Sequence, residues 1–198
     1  MKQAFLTRSV GYRLFGWTIG APRARSIFAR EHIRSKPGDR LLDIGCGTGD
    51  LVRFLPAVEY HGFDSNPDYI RAARALHPAA HFSCERLADH VIDPKPFDTV
   101  IACGLLHHLD EAEALNALHI ARDSLRSGGR LITLDGCYVP QQPALARFFL
   151  ANDRGRHVRT LGGYVGLAER VFQRVTSCLR NDLLRVPYVH IVMECVSD

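Results

Sequence analysis

The chain has 198 residues, of which 46% are hydrophobic and 23% are charged, and its formal net charge is +4. This length suits one globular domain and is too short for two full domains. The basic residues are scattered, which argues against a nucleic-acid partner, and no apolar run approaches the roughly 18 residues that a membrane-spanning helix needs. The six cysteines form no CxxC pair and no metal-ligand spacing, so we predict a reducing, cytoplasmic setting and no metal site.

The N-terminal segment is basic and amphipathic. Six basic residues and no acid precede Glu31, with aromatic and aliphatic residues between them. Such a segment fits a transit peptide, a membrane-surface helix or a helical cover over the rest of the domain. We predict a helical cover over residues 1–35, because amphipathic helices usually dock on their own core. Tyr12 and Trp17 in this cover are candidates for contact with a substrate.

Residues 36–138 alternate strand-like and helix-like segments. Strands are predicted at 40–44, 59–63, 81–83, 97–103 and 130–135, and helices at 50–55, 68–77 and 111–125. This alternation predicts right-handed crossovers and a mostly parallel sheet with helices on both faces. Residues 139–198 change pattern: helices through Phe149 and over 164–172 precede two β-rich runs, 174–179 and 188–196, which can pair antiparallel.

A glycine-rich turn, Gly45-Cys46-Gly47-Thr48-Gly49, directly follows the first predicted strand. Glycine lets the backbone adopt positive φ and lets a ligand approach closely. The dinucleotide fingerprint is GxGxxG, whereas here Asp50 stands at the third small position, where an acid would repel a pyrophosphate. Together with Asp43 and Asp50, the turn favours a phosphate-free nucleoside that carries a cation, such as a sulfonium with an amino-acid tail.

Asp64 closes the second predicted strand, about 20 residues after Asp43. An acid at that distance is positioned to accept hydrogen bonds from ribose hydroxyls. Asp64 could equally cap the helix that begins near Pro67, and one residue can serve both purposes.

These features resemble the class I S-adenosylmethionine-dependent methyltransferases. The run from Leu41 to Gly49 is similar to the first motif of that family almost letter for letter. The resemblance continues through Asp64, through 97–101 with 105–109, and through 125–131. It implies a Rossmann-like, doubly wound α/β domain with a mostly parallel seven-stranded sheet and an antiparallel last strand. Within one domain of 1–198, we expect a cofactor-binding core over 36–138 and acceptor-side helices and final strands over 139–198.

The resemblance also implies a cofactor, S-adenosylmethionine, with S-adenosylhomocysteine as the product. Its methionine tail would lie against Asp43, Gly45, Cys46 and Gly47, and its ribose against Asp64. The remaining cofactor contacts are expected at the ends of the next strands: Ser65, Asn66, Cys84, Glu85 and Arg86 around the adenine, and Cys103 and Gly104 beside the sulfonium. Many relatives have an aspartate in the adenine loop where this chain has Glu85.

Methyl transfer is an in-line displacement, so alignment is the main task of the protein. A base is needed only where the acceptor must lose a proton. His107 and His108 lie just past the fourth predicted strand and are the candidates for that base. Alternatively, they cap or pack the loop before the next helix.

Candidate acceptor-binding residues lie over the same edge of the sheet: Tyr12, Trp17, Asp135, Tyr138, Arg154, Arg156, Arg159, Tyr188 and His190. The three arginines could clamp a carboxylate or phosphate, or could form a solvated basic loop. Asp135 could instead cap the turn that follows it.

The end of the fourth strand reads Ala102-Cys103-Gly104-Leu105 and lacks the Asn or Asp followed by two prolines of enzymes that methylate base amino groups. We therefore expect a small-molecule acceptor. The alternatives are a methyltransferase acting on RNA or protein, a cofactor-binding protein without catalysis, and a nicotinamide dehydrogenase. The sequence leaves the methylated atom and the oligomeric state open.

Overall fold

The computed structural model describes residues 18–152 and 155–198, so the predicted contacts of Tyr12, Trp17 and Arg154 lie outside the described residues. Within these ranges the strands are β1 (Arg40–Ile44), β2 (Glu59–Asp64), β3 (His81–Cys84), β4 (Phe97–Cys103), β5 (Leu125–Tyr138), β6 (Arg159–Thr160), β7 (Arg174–Arg180) and β8 (His190–Val196). The α-helices are α1 (Ala21–Phe28), α2 (Pro67–Leu76), α3 (Glu111–Ser124), α4 (Ala144–Ala151) and α5 (Leu161–Glu169). Short helical turns add Ala29–Ile33, Val52–Phe54, Leu87–Asp89 and Leu106–His108.

The strands form one mixed sheet in the order β3-β2-β1-β4-β5-β8-β7, and β6 pairs with the end of β5. Strands β1 to β5 are parallel, while β8 lies antiparallel between β5 and β7. The strand order reverses between β1 and β4, and in such sheets a ligand crevice opens at that point outside the carboxyl ends of the strands. The predicted doubly wound sheet with an antiparallel last strand is confirmed, and the two-residue β6 adds an eighth strand.

The central strands are buried because both faces of the sheet are covered. All five residues of β1 are buried. One hydrophobic core lies between the sheet and helices α3 and α5. A second hydrophobic core contains side chains of α1 and α2. Fully buried side chains such as Leu41, Ile101 and Leu131 each contribute about 1.5–3 kcal/mol of hydrophobic stabilisation.

Local sequence sets where the helices begin. Pro67 occupies the first turn of α2, and the Asn66 side chain accepts hydrogen bonds from the backbone N–H groups of Asp68 and Tyr69. Asn66, and not Asp64, is therefore the N-cap of this helix. At the start of α3, Asp110 and Glu113 form a reciprocal capping box.

The predicted helix over residues 50–55 is wrong, since only a short 3₁₀ turn at Val52–Phe54 forms there. Gly49 leaves the glycine turn with a φ of 70°, and Leu55 is extended because Pro56 follows it. The few residues between these two points cannot complete a stable α-helix.

Helix α1 packs its Ala24, Ile27 and Phe28 side chains into the second core. The Arg23 guanidinium donates to the carbonyl oxygen of Asp182 at 2.6 Å, and Arg25 pairs with Asp50 at 2.9 Å. This helix therefore lies beside the glycine turn. Among the described residues, no helix is both long and apolar enough to cross a bilayer.

Candidate cofactor and acceptor site

The glycine turn is built from left-handed backbone. Gly45, Gly47 and Gly49 have φ values of 73°, 56° and 70°. A Cβ on Gly45 would lie 2.9 Å from Cδ1 of Leu105, whereas a Cβ on Gly47 would enter open space. The turn thus exposes bare backbone at Gly47, where a ligand can approach it.

Asp43 presents an unsatisfied carboxylate oxygen below this turn. The residue is 2% exposed, and its Oδ2 accepts a hydrogen bond from the Tyr60 hydroxyl at 2.6 Å. Its Oδ1 is buried and has no hydrogen-bond partner among the described residues. Burial raises the pKa of Asp43 to about 7. A cationic ligand group at Oδ1 would relieve the cost of this buried, unpaired oxygen.

Asp64 joins the end of β2 to the glycine turn. Its Oδ1 accepts from the Asn66 backbone N–H at 2.8 Å, and its Oδ2 accepts from the Gly47 backbone N–H at 3.1 Å. The carboxylate therefore faces the glycine turn. Asp50 differs from Asp43 in that it forms an ion pair with Arg25. Of Asp43 and Asp50, Asp43 is therefore the acid that supports binding of a cationic cofactor.

The predicted adenine residues lie together at the ends of β2 and β3. Sγ of Cys84 is 3.9 Å from the carbonyl oxygen of Ser65. Oε1 of Glu85 accepts from Oγ of Ser83 at 2.5 Å and lies 3.2 Å from Nδ1 of His90. Arg86 pairs with Asp89 at 2.7 Å. Glu85 is thus held by its neighbours in the loop expected to contact the adenine.

The thiols near the site are not activated. Burial raises the pKa of Cys103 to about 12, and burial also raises the pKa of Cys46. The Cys46 side chain packs against Gly62, so Cys46 contributes backbone to the turn. A thiolate nucleophile is not available from either residue near neutral pH. Gly104, with a φ of 69°, follows Cys103 and leaves this end of β4 bare.

His107, in the short helical turn after β4, and Asp135, within β5, form a buried pair. Oδ1 of Asp135 lies 2.8 Å from Nδ1 of His107 and accepts from the His107 backbone N–H at 3.1 Å. Oδ2 of Asp135 is buried without a hydrogen-bond partner in the described ranges. The His108 side chain is exposed, and its ring centroid lies 4.2 Å from that of His107. The structure thus joins one catalytic candidate, His107, to one acceptor candidate, Asp135.

The remaining acceptor candidates are spread around this pair. The Arg159 guanidinium donates to the carbonyl oxygens of Leu106 and Leu109 at 2.7 and 2.8 Å, so it braces the loop that carries His107. Arg156 is exposed. The Tyr188 ring lies 4.6 Å from that of His190, and its hydroxyl fills the space that a side chain at position 136 would need.

Tyr138 lines an open cavity of about 620 Å³ beside the end of β5. The other lining residues come from the segments around α4, α5 and β7: Val139, Pro140, Gln142, Arg147, Thr160, Leu161, Gly162 and Leu179. The cavity is largely apolar and has the size of pockets that bind small molecules.

Sequence reasoning missed three residues that shape the site. Tyr60 donates to Asp43, Arg25 neutralises Asp50, and Gly155 packs against the His107 ring so closely that a Cβ would overlap it. Each contact joins elements that are distant along the chain. No local spacing or motif indicates them.

A family model described as a methyltransferase domain matches residues 42–131. An uncharacterized methyltransferase of Anoxybacillus flavithermus is 25% identical over 122 residues, which cover 61% of this chain and 58% of that protein. The O-methyltransferase resE of Aspergillus sclerotiorum is 30% identical over 136 residues, 63% of this chain and 50% of that protein. The tRNA U34 carboxymethyltransferase of Idiomarina loihiensis is 29% identical over 111 residues, 51% of this chain and 34% of that protein. The chain thus matches less than two thirds of the length of each of these relatives.

Solved structures share the fold across nearly the whole chain. A TehB-like SAM-dependent methyltransferase from Corynebacterium glutamicum has a TM-score of 0.67 at 21% identity, covering 98% of this chain and 97% of that one. The plantazolicin methyltransferase BpumL, crystallised with a monoazolic desmethylPZN analogue and S-adenosylhomocysteine, has a TM-score of 0.72 at 13% identity and covers 100% of this chain and 91% of that one. Fold, motif, family model and relatives thus agree in supporting a class I S-adenosylmethionine-dependent methyltransferase.

Proposed function

We propose that this protein transfers a methyl group from S-adenosylmethionine to a small-molecule acceptor. The observation that carries the proposal is the buried Oδ1 of Asp43, which has no hydrogen-bond partner in the described part of the chain, beside the bare backbone of Gly47. Such a site suits a positively charged amino group attached to a phosphate-free nucleoside. A pyrophosphate would meet two carboxylates, Asp43 and Asp64, at the same place.

The residues at the carboxyl edge fit each part of this cofactor. Asp43 and the glycine turn would hold the amino-acid tail, Asp64 the ribose hydroxyls, and Ser65, Asn66 and the Glu85 loop the adenine. When bound, the cofactor supplies an electrophilic methyl group on a sulfonium sulfur. The chain's own contribution is to align that group and to exclude water at Cys103 and Gly104.

The cavity beside Tyr138 supports a small-molecule acceptor. Its volume of about 620 Å³ and its largely apolar lining suit a compact organic ligand. The names of two similar proteins, an O-methyltransferase and a plantazolicin methyltransferase, are in keeping with such acceptors. A cytoplasmic setting, predicted from cysteine usage, is part of this proposal.

An RNA acceptor is the second candidate, because one relative is named as acting on tRNA. In that case the exposed Arg156 and Arg147 would contact phosphates, and binding would weaken steeply with salt. A protein acceptor and a non-catalytic cofactor-binding role are the other outcomes of the test.

Calorimetry with S-adenosylhomocysteine and with NAD⁺ tests the cofactor. We expect binding of the former alone, and we expect Asp43→Asn to weaken it while the exposed Asp123→Asn leaves it unchanged. Release of S-adenosylhomocysteine is then measured with a metabolite extract, with total RNA and with a protein extract. Turnover with the metabolite extract alone supports the proposal, whereas turnover with RNA alone, or binding of NAD⁺ in place of S-adenosylhomocysteine, contradicts it.

A further inference from the structure

We propose that the cavity beside Tyr138 binds the acceptor through a carboxylate group, and that Arg147 and Gln142 recognise this group. The inference rests on the proposed function and deepens it, because it names the chemical class of the acceptor as an apolar carboxylic acid. It is carried by two polar side chains that line a largely apolar cavity and have no partner among the described residues.

Gln142 is the first of these side chains. It lines the cavity, and both polar atoms of its carboxamide, Oε1 and Nε2, are buried without a hydrogen-bond partner in residues 18–152 and 155–198. A buried amide that is left unpaired costs the protein free energy. A ligand in the cavity would remove this cost by offering an acceptor to Nε2 and a donor to Oε1.

Arg147 is the second of these side chains. It lies on α4, is exposed, and lines the same cavity. Its guanidinium forms no hydrogen bond or ion pair within the described ranges, whereas the guanidinium of Arg159 is occupied by the carbonyl oxygens of Leu106 and Leu109. Arg147 is therefore available to a carboxylate, which a guanidinium can bind through two parallel N–H groups.

The charges around the cavity match a ligand with one negative charge. Among the described lining residues, Arg147 alone is charged. The first turn of α5 contributes Leu161 and Gly162 to the lining and has no acidic residue, so the positive end of the helix dipole is not offset there. A Cβ on Gly162 would meet no atom within 4 Å, which leaves that turn open. The phosphates of RNA would need further cations, which this lining does not supply.

The rest of the lining suits an apolar body attached to the carboxylate. Val139, Pro140, Leu161 and Leu179 contribute aliphatic surface to the cavity. Leu161 and Leu179 are 37% and 44% exposed, so a ligand seated on them would remove apolar area from water.

Strand β5 connects this cavity to the position expected for the reacting methyl group. The Gly104 N–H donates to the Leu134 carbonyl oxygen at 2.7 Å, and Gly104 is expected beside the sulfonium. Tyr138 follows Leu134 by four positions on β5, which corresponds to about 13 Å of extended chain. An acceptor that reaches both places therefore carries its methylated atom at about that distance from its carboxylate.

Calorimetry on the protein loaded with S-adenosylhomocysteine tests the recognition. The probe is N-acetylphenylalanine, which has a carboxylate, an N–H donor beside it and an apolar ring, and the uncharged control is N-acetylphenylalaninamide. We expect the wild-type protein to bind the acid about tenfold or more tighter than the amide. Arg147→Gln should remove this preference, whereas Arg170→Gln, which changes an exposed arginine paired with Glu111 outside the cavity, should keep it.

Gln142→Leu separates recognition from a structural role. The variant removes the unpaired amide, so its thermal unfolding midpoint should be no lower than that of the wild type. It should nevertheless bind N-acetylphenylalanine more weakly. Equal binding of the acid and the amide by the wild type, an unchanged preference in Arg147→Gln, or tighter binding of inorganic phosphate than of the acid would overturn the inference.

Turnover supplies the second readout. A metabolite extract is divided on an anion-exchange resin, and release of S-adenosylhomocysteine is measured with each fraction. We expect the acceptor in the retained fraction, unaffected by phosphatase treatment, and a KM about tenfold or more higher for Arg147→Gln. An acceptor confined to the unretained fraction, or destroyed by phosphatase, would overturn the inference and leave methyl transfer itself supported. Failure of the proposed function is distinct, because the wild-type protein would then not bind S-adenosylhomocysteine.

Discussion

At the scale of single residues, burial decides which acids are available to a ligand. Asp43, Asp50 and Asp64 all surround the glycine turn, and the sequence alone does not distinguish Asp43 from Asp50. In the structure Asp50 is neutralised by Arg25, Asp64 accepts two backbone N–H groups, and Asp43 keeps one buried oxygen unpaired within the described ranges. Those differences come from contacts with residues elsewhere in the chain. The sequence spacing therefore located the three acids but could not show which of them is available to a ligand.

The raised pKa of Asp43 predicts pH-dependent cofactor binding. Below about pH 7 the carboxyl is largely protonated, and a cationic amino group would favour its ionised form. The affinity for S-adenosylhomocysteine should therefore rise between about pH 5.5 and 7.5, by at most about tenfold per pH unit for one linked proton. Asp43→Asn should bind more weakly and show a flatter profile. Calorimetry in buffers of different ionisation enthalpy checks this by detecting proton release.

The same group has the opposite effect on the protein without cofactor. Its folded-state pKa lies above the value of about 4 in the unfolded chain, so its stabilising contribution is complete below about pH 4 and is lost as the pH rises through 7. Thermal unfolding of wild type and Asp43→Asn across that range should show this loss in the wild type. An unchanged difference between the two proteins from pH 4 to 8 would contradict the assigned pKa.

At the scale of elements, the strand pattern and the glycine turn were predictable because local spacing determines them. The helix over 50–55 was not, since Gly49 and Pro56 left too little chain between them. The pairing of β6 with β5 was also missed, because two residues such as Arg159 and Thr160 carry no strand periodicity. The cofactor side of the site follows from one motif, whereas the acceptor side is assembled from separate segments without a common pattern.

Two glycines with similar backbone provide a matched test of the turn. Gly47 and Gly38 both have positive φ, 56° and 89°, and a Cβ on either would meet no atom within 4 Å. Replacement by alanine should cost each variant about 1–2 kcal/mol of stability through backbone strain. Only Gly47→Ala should also weaken S-adenosylhomocysteine binding, by tenfold or more, because its Cβ occupies the approach of the ligand. Equal affinities of the two variants, measured by calorimetry, would remove Gly47 from the site.

At the scale of the whole molecule, the carboxyl and amino ends of the parallel strands have different roles. The candidate site lies at the carboxyl ends of the strands. At their amino ends, Arg40, which is 7% exposed, connects neighbouring strands. Its guanidinium pairs with Glu59 and Asp93 at 2.8 and 3.1 Å and stacks on the Phe97 ring at 4.4 Å. This cluster joins β1, β2 and β4 where no ligand is expected.

Arg40→Ala should therefore affect stability and not binding. We expect the free energy of unfolding to fall by about 2–4 kcal/mol, below the upper range for fully buried pairs because Glu59 and Asp93 are partly exposed. Arg122→Ala, which breaks an exposed pair with Asp123, should change it by less than about 1 kcal/mol. Denaturant unfolding gives both values. A loss of S-adenosylhomocysteine affinity in folded Arg40→Ala would show that the two ends of the strands are coupled.

The position of β8 has a consequence for synthesis on the ribosome. Residues 190–196 bond to β5 on one side and to β7 on the other, although both of those strands emerge from the ribosome earlier. Until β8 is synthesised, the edges of β5 and β7 with which it pairs are exposed. Exposed strand edges are prone to pair with other chains. Completion of the sheet therefore waits for the last strand to be translated, while the glycine turn and β1 to β4 can already be in place.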